Sequence, residues 1–150
     1  MDEHSGELGQ GMSVQVAQAW EQALAEAKTP GVRKLALRTS LVLDRKEGAL
    51  PRLVNLARVG MSGPMGHGRQ YVSWLHVADF VAAVDFLLGR DDLSGPFNLT
   101  APDPQPNVAF MRALRQAMGL PLGLPQPKWL LKFGAWLIGT ETELILKSRR

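Results

Sequence analysis

The sequence predicts an α/β fold in which helices pack on a few short strands. Two observations support this prediction. Segments with apolar residues at helical spacing alternate with short β-rich runs along the chain. Clusters of glycine and proline separate these segments, as turns and loops do. Hydrophobic residues make up 45% and charged residues 21% of the 150 residues, which is ordinary for a globular protein.

The first predicted elements are a helix and a strand. Residues 1–11 are polar and glycine-rich, which predicts a loop. Apolar residues recur on one helical face over 12–27, and the Thr-Pro-Gly sequence at 29–31 ends that helix. After Lys34, the run 33–43 is mostly apolar at both odd-numbered and even-numbered positions. This pattern predicts one strand buried on both faces, as in a parallel sheet.

The middle of the chain predicts a helix, a loop and a strand. Residues 49–58 form a helix opened by Pro51 in its first turn. Five glycine and proline residues within 60–68 predict an irregular loop, in which a glycine can let the backbone approach a ligand closely. Residues 70–75 are predicted to form a short strand.

The remaining elements are mostly helical. An apolar stripe predicts a helix over 76–89, followed by a short strand at 97–100. Asn107 is predicted to be the N-cap of a helix that ends at Gly119. An apolar helix then opens at Pro127, and a capping box at 140–143 starts a last helix that has no stop signal. We therefore expect the chain to be truncated within this last helix.

Composition also limits the classes of partner. No run approaches the roughly 18 apolar residues that cross a bilayer, and the N-terminus lacks the pattern of a secretory signal. We predict a cytoplasmic protein without a membrane partner. The pI is 9.6, but the net charge is only +3 and basic residues are scattered, except at Arg33 and Lys34 and near the C-terminus. This scatter predicts no nucleic-acid binding. Cysteine is absent and the three histidines lack metal-ligand spacing, so no metal site is predicted.

Residues 66–88, GHGRQYVSWLHVADFVAAVDFLL, resemble a characteristic stretch of the extended short-chain dehydrogenase/reductases. In that superfamily a Gly-x-Gly-x-Gln sequence runs through a strand into an aromatic-Ile-His-Val-x-Asp helix start. The flanking runs LALRTSLVL and GPFNLTAPDP agree in order. Together with the C-terminal PKWLLKFGAWLIGTETELILKSR, they resemble the epimerase family proteins, which are similar to NAD-dependent epimerases and dehydratases. The matching positions are Gly66, Gly68, Gln70, Trp74, Leu75, His76, Val77 and Asp79.

This resemblance implies the C-terminal part of a Rossmann-like fold, including the family's C-terminal domain of unknown function. Residues 1–45 would be the last helix and strand of the nucleotide-binding domain, and 46–150 the substrate-side subdomain. The family's cofactor would be NADP or NAD, bound mainly by a missing N-terminal half, because no G-x-G-x-x-G follows a strand here. The chain would then be inactive alone. Strand 33–43 would be a sheet edge, which predicts self-association or pairing with the missing half.

The superfamily's catalytic Tyr-x-x-x-Lys pair has no counterpart in this sequence. Anchoring the pattern at Glu21 places Ser13 at the tyrosine position and Ala17 at the lysine position. The only tyrosine, Tyr71, has no lysine four residues on. Catalytic residues are therefore unknown. Either catalysis uses residues outside this chain, or the protein is a non-catalytic dinucleotide sensor or scaffold that has lost the pair.

Two groups of residues are candidates for binding. Arg38 lies midway along the predicted strand, where its charge needs either a carboxylate partner or a ligand phosphate. A nucleotide-sugar substrate is in doubt, because Val72 stands where sugar-nucleotide epimerases carry an arginine. Trp74 also suits core packing, and His76 a helix cap, as alternatives to a ligand role. The cofactor candidates are Arg38, Thr39 and Val42. The substrate-pocket candidates are Gly66, Arg69, Gln70, Ser73 and Trp74, for an unknown small molecule.

Overall fold

The computed structural model describes residues 12–126, which form an α/β structure with short strands, as predicted. The loop predicted at 1–11, the helix predicted from Pro127 and the capping box predicted at 140–143 lie outside the described residues. The elements in chain order are α1 (Met12–Glu26), β1 (Leu35–Thr39), β2 (Leu41–Leu43), α2 (Ala49–Arg58), β3 (Tyr71–Val72), β4 (Trp74–His76), α3 (Val77–Leu88), β5 (Gly95–Leu99), β6 (Gln105–Pro106) and α4 (Asn107–Ala117).

The described residues fall into two compact units. The first comprises the described part of Met1–Ser40 together with Ala78–Leu99, and the second comprises Leu41–Val77 together with the described part of Thr100–Arg150. The sequence-based domain boundary after residue 45 stays a prediction.

The first unit is built on a parallel pair of strands. β1 and β5 run side by side, with Leu35 opposite Gly95 and Thr39 opposite Leu99. The Gly95 N–H donates to the Lys34 carbonyl at 3.0 Å, and the Ser40 N–H donates to the Leu99 carbonyl at 3.0 Å, so the pairing continues past both ends.

Arg33 and Lys34 stabilise the C-terminal ends of the two helices of the first unit. Neither α1 nor α3 has a basic residue in its last turn, and the last carbonyls of a helix need donors. Arg33 donates from Nη1 to the Leu87 carbonyl at 3.0 Å and from Nη2 to the Leu88 carbonyl at 3.3 Å. Lys34 Nζ donates to the carbonyls of Ala25 and Ala27. These adjacent basic residues therefore cap the C-terminal ends of α1 and α3.

The helix predicted at 12–27 is confirmed as α1, but its apolar face is not buried. No residue of α1 is buried; Met12 is 69% and Trp20 74% exposed. α3 confirms the helix predicted at 76–89. In its predicted stripe Leu87 is buried, whereas Val81 and Leu88 are exposed.

The prediction of one strand over 33–43 buried on both faces was wrong. The run is two strands separated by Ser40, and none of their residues is buried. The Leu41 N–H donates to the Ser73 carbonyl at 3.2 Å, and β2 then pairs in parallel with β4, with Leu43 opposite His76. The strands separate because β1 and β2 have different partners, which hydrophobic alternation does not reveal. Each sheet within 12–126 has two strands.

The strand predicted at 70–75 is likewise two strands. β3 pairs antiparallel with β6, with Tyr71 opposite Pro106 and Val72 opposite Gln105, whereas β4 pairs with β2. β6 was not predicted, because it lies in a proline-rich segment that lacks β-forming residues.

The core of the second unit lies between α2, α4 and the glycine-rich loop. Met65 and Met111 are buried there. α2 coincides with the predicted helix 49–58, and Gly119, with φ of 66°, follows the end of α4 as predicted. Partly buried apolar residues pack around the two methionines: Leu53, Leu56, Phe110 and Leu114.

Asn107 does not cap α4 as predicted. Pro106 occupies the N-cap position without a side-chain cap, and Asn107 is the first helical residue. Its side chain is buried and accepts a hydrogen bond from the Met65 N–H at 2.8 Å. The residue therefore fixes a distant loop to the helix.

Residues 12–126 contain neither a candidate membrane-spanning helix nor a candidate metal site. No helix there is both long and apolar enough to cross a bilayer. No group of three metal-ligating side chains is close enough together to hold a metal ion.

Candidate binding loop and its supporting residues

Residues 59–70 form a glycine-rich loop (the binding loop) held by the segment 124–126 in the second unit. The Gly63 N–H donates to the Leu124 carbonyl at 3.0 Å, and the Leu124 N–H donates to the Gly60 carbonyl at 2.9 Å. Further along, the Gly66 N–H donates to the Gln126 carbonyl at 2.8 Å. An irregular loop must satisfy its backbone groups without a regular ladder, and this paired segment supplies many of the partners.

Four side chains bind other backbone groups of the binding loop. Asn107 accepts from the Met65 N–H at 2.8 Å, and Gln70 donates to the Met65 carbonyl at 2.8 Å. Arg115 donates to the Ser62 carbonyl at 2.7 Å, and Gln126 donates to the Met61 carbonyl. Three of these side chains come from residues 42 to 65 positions away in sequence, and Gln70 lies in the loop itself, so the loop conformation depends on both local and distant contacts.

Three buried oxygens next to these bonds have no hydrogen-bond partner within residues 12–126. They are Ser62 Oγ, Gln70 Oε1 and Gln126 Oε1, and their residues are 0%, 2% and 1% exposed. A buried polar group without a partner costs about 1–3 kcal/mol, so these three groups, two in the binding loop and one in the segment 124–126, are energetically unfavourable within the described residues.

Two glycines of the binding loop are required by close contacts. A Cβ at Gly63 would lie 2.4 Å from the Leu124 carbonyl oxygen. A Cβ at Gly68 would lie 2.9 Å from the Pro64 Cβ, and Gly68 has φ of 70°, a conformation that L side chains rarely adopt. The glycines therefore permit tight packing within the second unit.

The predicted substrate-pocket residues lie in different environments of the second unit. Gln70 is buried and supports the binding loop through Met65, whereas Arg69 is exposed at its surface. Gly66 has φ of 60° within the loop. Ser73 and Trp74 are half-buried at β4, where the Trp74 carbonyl accepts from the Ala101 N–H at 2.8 Å. Their binding roles stay predictions.

Of the predicted cofactor residues, Arg38 has a carboxylate partner. Its Nε lies 2.8 Å from Glu21 Oε1 and its Nη2 lies 2.8 Å from Glu21 Oε2, a two-bond ion pair between β1 and α1. The hydrogen bond from Arg38 holds the pKa of Glu21 below its usual value. Of the two alternatives for Arg38, a carboxylate partner or a ligand phosphate, the structure contains the carboxylate partner. Thr39 is exposed at the end of β1, and Val42 lies opposite Leu75 in the second unit.

The ends of β2 and β4 bring polar residues to one sheet edge. Ligands of parallel α/β sheets bind near the carboxyl ends of the strands, and Asp44 follows β2 where exposed His76 ends β4. Asp44 Oδ1 accepts from the N–H groups of Lys46 at 2.6 Å and Glu47 at 3.0 Å, and these two bonds lower the pKa of Asp44. Asp44 thus closes the turn after β2.

Sequence reasoning missed several residues that support the candidate site. Ser62 and Arg115 act through contacts that join residues 53 positions apart, so no local pattern indicates them. Ser40 was also missed. Its hydroxyl is buried at the carboxyl end of β1 and has no hydrogen-bond partner within 12–126.

The cofactor that the superfamily implies can be tested against these side chains. The guanidinium of Arg38 already engages Glu21, and no glycine-rich strand-to-helix turn lies within residues 12–126. The residues described therefore do not by themselves fit the phosphates of a dinucleotide.

Curated relatives carry the name epimerase family protein. The chain is 36% identical to one from Mycobacterium leprae over 124 residues, covering 83% of this chain and 40% of the relative. It is 32% identical to one from Staphylococcus epidermidis over 136 residues, covering 91% of this chain and 44% of the relative. The chain thus spans about two fifths of the length of these relatives. No family model matches the chain.

Solved structures share the fold. The human epimerase family protein SDR39U1 (isoform 2), crystallised with NADPH, superposes with a TM-score of 0.86 at 25% identity, covering 99% of this chain and 50% of that chain. A dTDP-glucose 4,6-dehydratase from Bacillus anthracis, in complex with NAD, gives a TM-score of 0.67 at 21% identity, covering 84% of this chain and 43% of that chain. The second likeness shows the fold alone.

Proposed function

We propose that this chain forms the substrate side of an NAD(P)-dependent epimerase/dehydratase-like oxidoreductase. The chain belongs to the epimerase family proteins of the extended short-chain dehydrogenase/reductase superfamily. Its second unit would present the substrate through the binding loop. The observation that carries the proposal is the superposition on the human relative crystallised with NADPH, which includes nearly all of this chain but half of that one.

The cofactor would be bound mainly by a polypeptide segment other than this chain. Two observations support this step. The sequence has no G-x-G-x-x-G after a strand, the motif that holds a dinucleotide pyrophosphate. Arg38, the basic residue among the cofactor candidates, is paired with Glu21. The chain alone would therefore be inactive, and a nucleotide-binding half would be its partner.

A fluorescence titration of NADPH and NADH into the purified 150-residue chain tests this assignment. We expect no saturable binding of either nucleotide, with the complete human relative as the positive control for NADPH. Saturable micromolar binding to the chain alone would contradict the proposal. Thr39, Val42 and Arg38 would then be the first residues to substitute.

A second candidate function is a non-catalytic dinucleotide sensor or scaffold. The observation that favours it lies on α1, where Ser13 and Ala17 occupy the positions that correspond to the catalytic tyrosine and lysine of the superfamily. Neither side chain can replace the lysine that lowers the pKa of a catalytic tyrosine. Turnover of a carbonyl or epimerisable substrate by a complete protein containing this chain would exclude the sensor.

A further inference from the structure

Two stretches of the second unit carry arginines but no acidic residue. Residues 48–77 and 104–126 include no aspartate or glutamate but five arginines. The two stretches pack together around Met65 and Met111. Their arginines are Arg52, Arg58, Arg69, Arg112 and Arg115. A local excess of one charge sign attracts ligands of the opposite sign.

Two of these arginines are used within the fold. Arg115 donates to the Ser62 carbonyl at 2.7 Å, and Arg58 donates to Asn55 Oδ1 at 3.3 Å. The other three, Arg52, Arg69 and Arg112, are exposed, and their side chains make no hydrogen bond or ion pair with any residue of the stretch 12–126. Their charge is therefore available to a ligand.

Arg69 and Arg112 come from segments that meet at one point. The Val108 N–H donates to the Gly68 carbonyl at 3.0 Å, which joins the binding loop to the first turn of α4. Arg112 follows Val108 by four residues and so lies on the same helix face, one turn further along. Arg69 follows Gly68 directly. The tight packing of Gly68 against Pro64 fixes the backbone that carries Arg69.

His67 adds a donor at the same junction. Its Nδ1 accepts from the Arg69 N–H at 3.0 Å, so the proton of the neutral ring lies on Nε2, which can donate to a ligand. Asp103, the acid that immediately precedes the stretch 104–126, accepts from Gln105 Nε2. The N–H groups of Asn107 and Val108 are already bonded to the loop. A ligand would therefore be held by side chains.

We propose that His67, Arg69 and Arg112 form a binding site for the oxyanion group of a small molecule, either a phosphate or a carboxylate. Paired guanidinium groups suit both oxyanions, because each presents several donors in a plane. The identification of this ligand as the substrate rests on the proposed function. The anion site itself rests on the charges and contacts of the second unit.

Isothermal titration calorimetry tests the site. The 150-residue chain is titrated at low ionic strength with inorganic pyrophosphate and, separately, with citrate. The variants are Arg69→Gln and Arg112→Gln. Arg52→Gln is the matched control, because Arg52 is an equally exposed arginine on α2 and the charge change is identical. We expect saturable binding of at least one anion, with affinity reduced roughly three- to tenfold by each test variant and unchanged in the control.

The stronger of the two anions identifies the oxyanion class. Circular dichroism of each variant verifies that the fold is retained. An equal loss in Arg52→Gln would overturn the proposal, because binding would then follow net charge. Absence of binding of both anions would overturn it as well, and so would tighter binding of a single-stranded oligonucleotide with equal loss in all three variants. No nicotinamide nucleotide is present, so these outcomes are independent of the NADPH titration.

Discussion

Gly63 illustrates how one residue determines the packing of the binding loop. A Cβ there would lie 2.4 Å from the Leu124 carbonyl oxygen, which is backbone and cannot rotate away. Gly63→Ala must separate the loop from residues 124–126 and weaken their hydrogen bonds. We expect the free energy of unfolding to fall by about 1–3 kcal/mol, the range for overpacked sites, as measured by urea denaturation.

Gly89→Ala is the matched control for that substitution. A Cβ at Gly89 would meet the Asp85 carbonyl oxygen at 3.6 Å, an ordinary van der Waals distance. Its free energy of unfolding should stay within about 0.5 kcal/mol of the unmodified chain. Equal effects of the two variants would show that the close approach at Gly63 is relaxed in solution.

At the residue scale the sequence located the glycine-rich loop but not what holds it. Gln70 stays a predicted substrate-pocket residue, and the structure adds a supporting role that the sequence did not indicate, because its buried amide donates to the Met65 carbonyl. Asn107 was predicted to cap α4 and instead accepts from the Met65 N–H, 42 residues away. The local pattern of Asn107 suits more than one role, and only a contact distant in sequence decides between the roles.

One ion pair between α1 and β1 has a strength that varies with pH. The hydrogen bond from Arg38 lowers the pKa of Glu21 from 4.5. The stability that the pair contributes is therefore present above about pH 4.5 and is lost as the pH falls through the lowered pKa of the folded state. The two side chains are 36% and 39% exposed. Solvent screening therefore limits the contribution to roughly 0.3–1 kcal/mol.

Glu21→Gln should remove this contribution. Urea denaturation at pH 7 should show the variant less stable by that amount, and the difference should vanish at pH values well below 4.5. Glu26→Gln is the control on the same helix, because the partner of Glu26 is the neutral amide of Gln22. A stability difference for Glu21→Gln that is independent of pH would exclude the ionic explanation.

At the element scale, helices were predicted better than strands. α1, α2 and α3 each lie within one residue of the predicted ends, because apolar periodicity and glycine or proline stops are local signals. The run 33–43 divides at Ser40 because its two halves pair with β5 and β4. Strand partners are chosen by contacts distant in sequence, which single-sequence patterns do not contain.

For the whole molecule, the exposed apolar face of α1 is the feature that bears on association. Sequence periodicity predicted an apolar face on this helix, and no residue of α1 is buried. Large exposed apolar surface on a helix is typical of interaction sites. The predicted association of this chain with itself or with a nucleotide-binding half should therefore depend on Trp20, which is 74% exposed.

Trp20→Gln tests this dependence in sedimentation velocity. We expect the unmodified chain to sediment with a mass that increases with concentration, and the variant to shift toward the monomer, because a large aromatic surface is replaced by an amide. Leu122→Gln is the control, since Leu122 is 83% exposed in the second unit. An equal shift in both variants would indicate non-specific adhesion. A strictly monomeric unmodified chain would leave the nucleotide-binding half as the partner for α1, and adding that half should then protect Trp20 from fluorescence quenching by iodide.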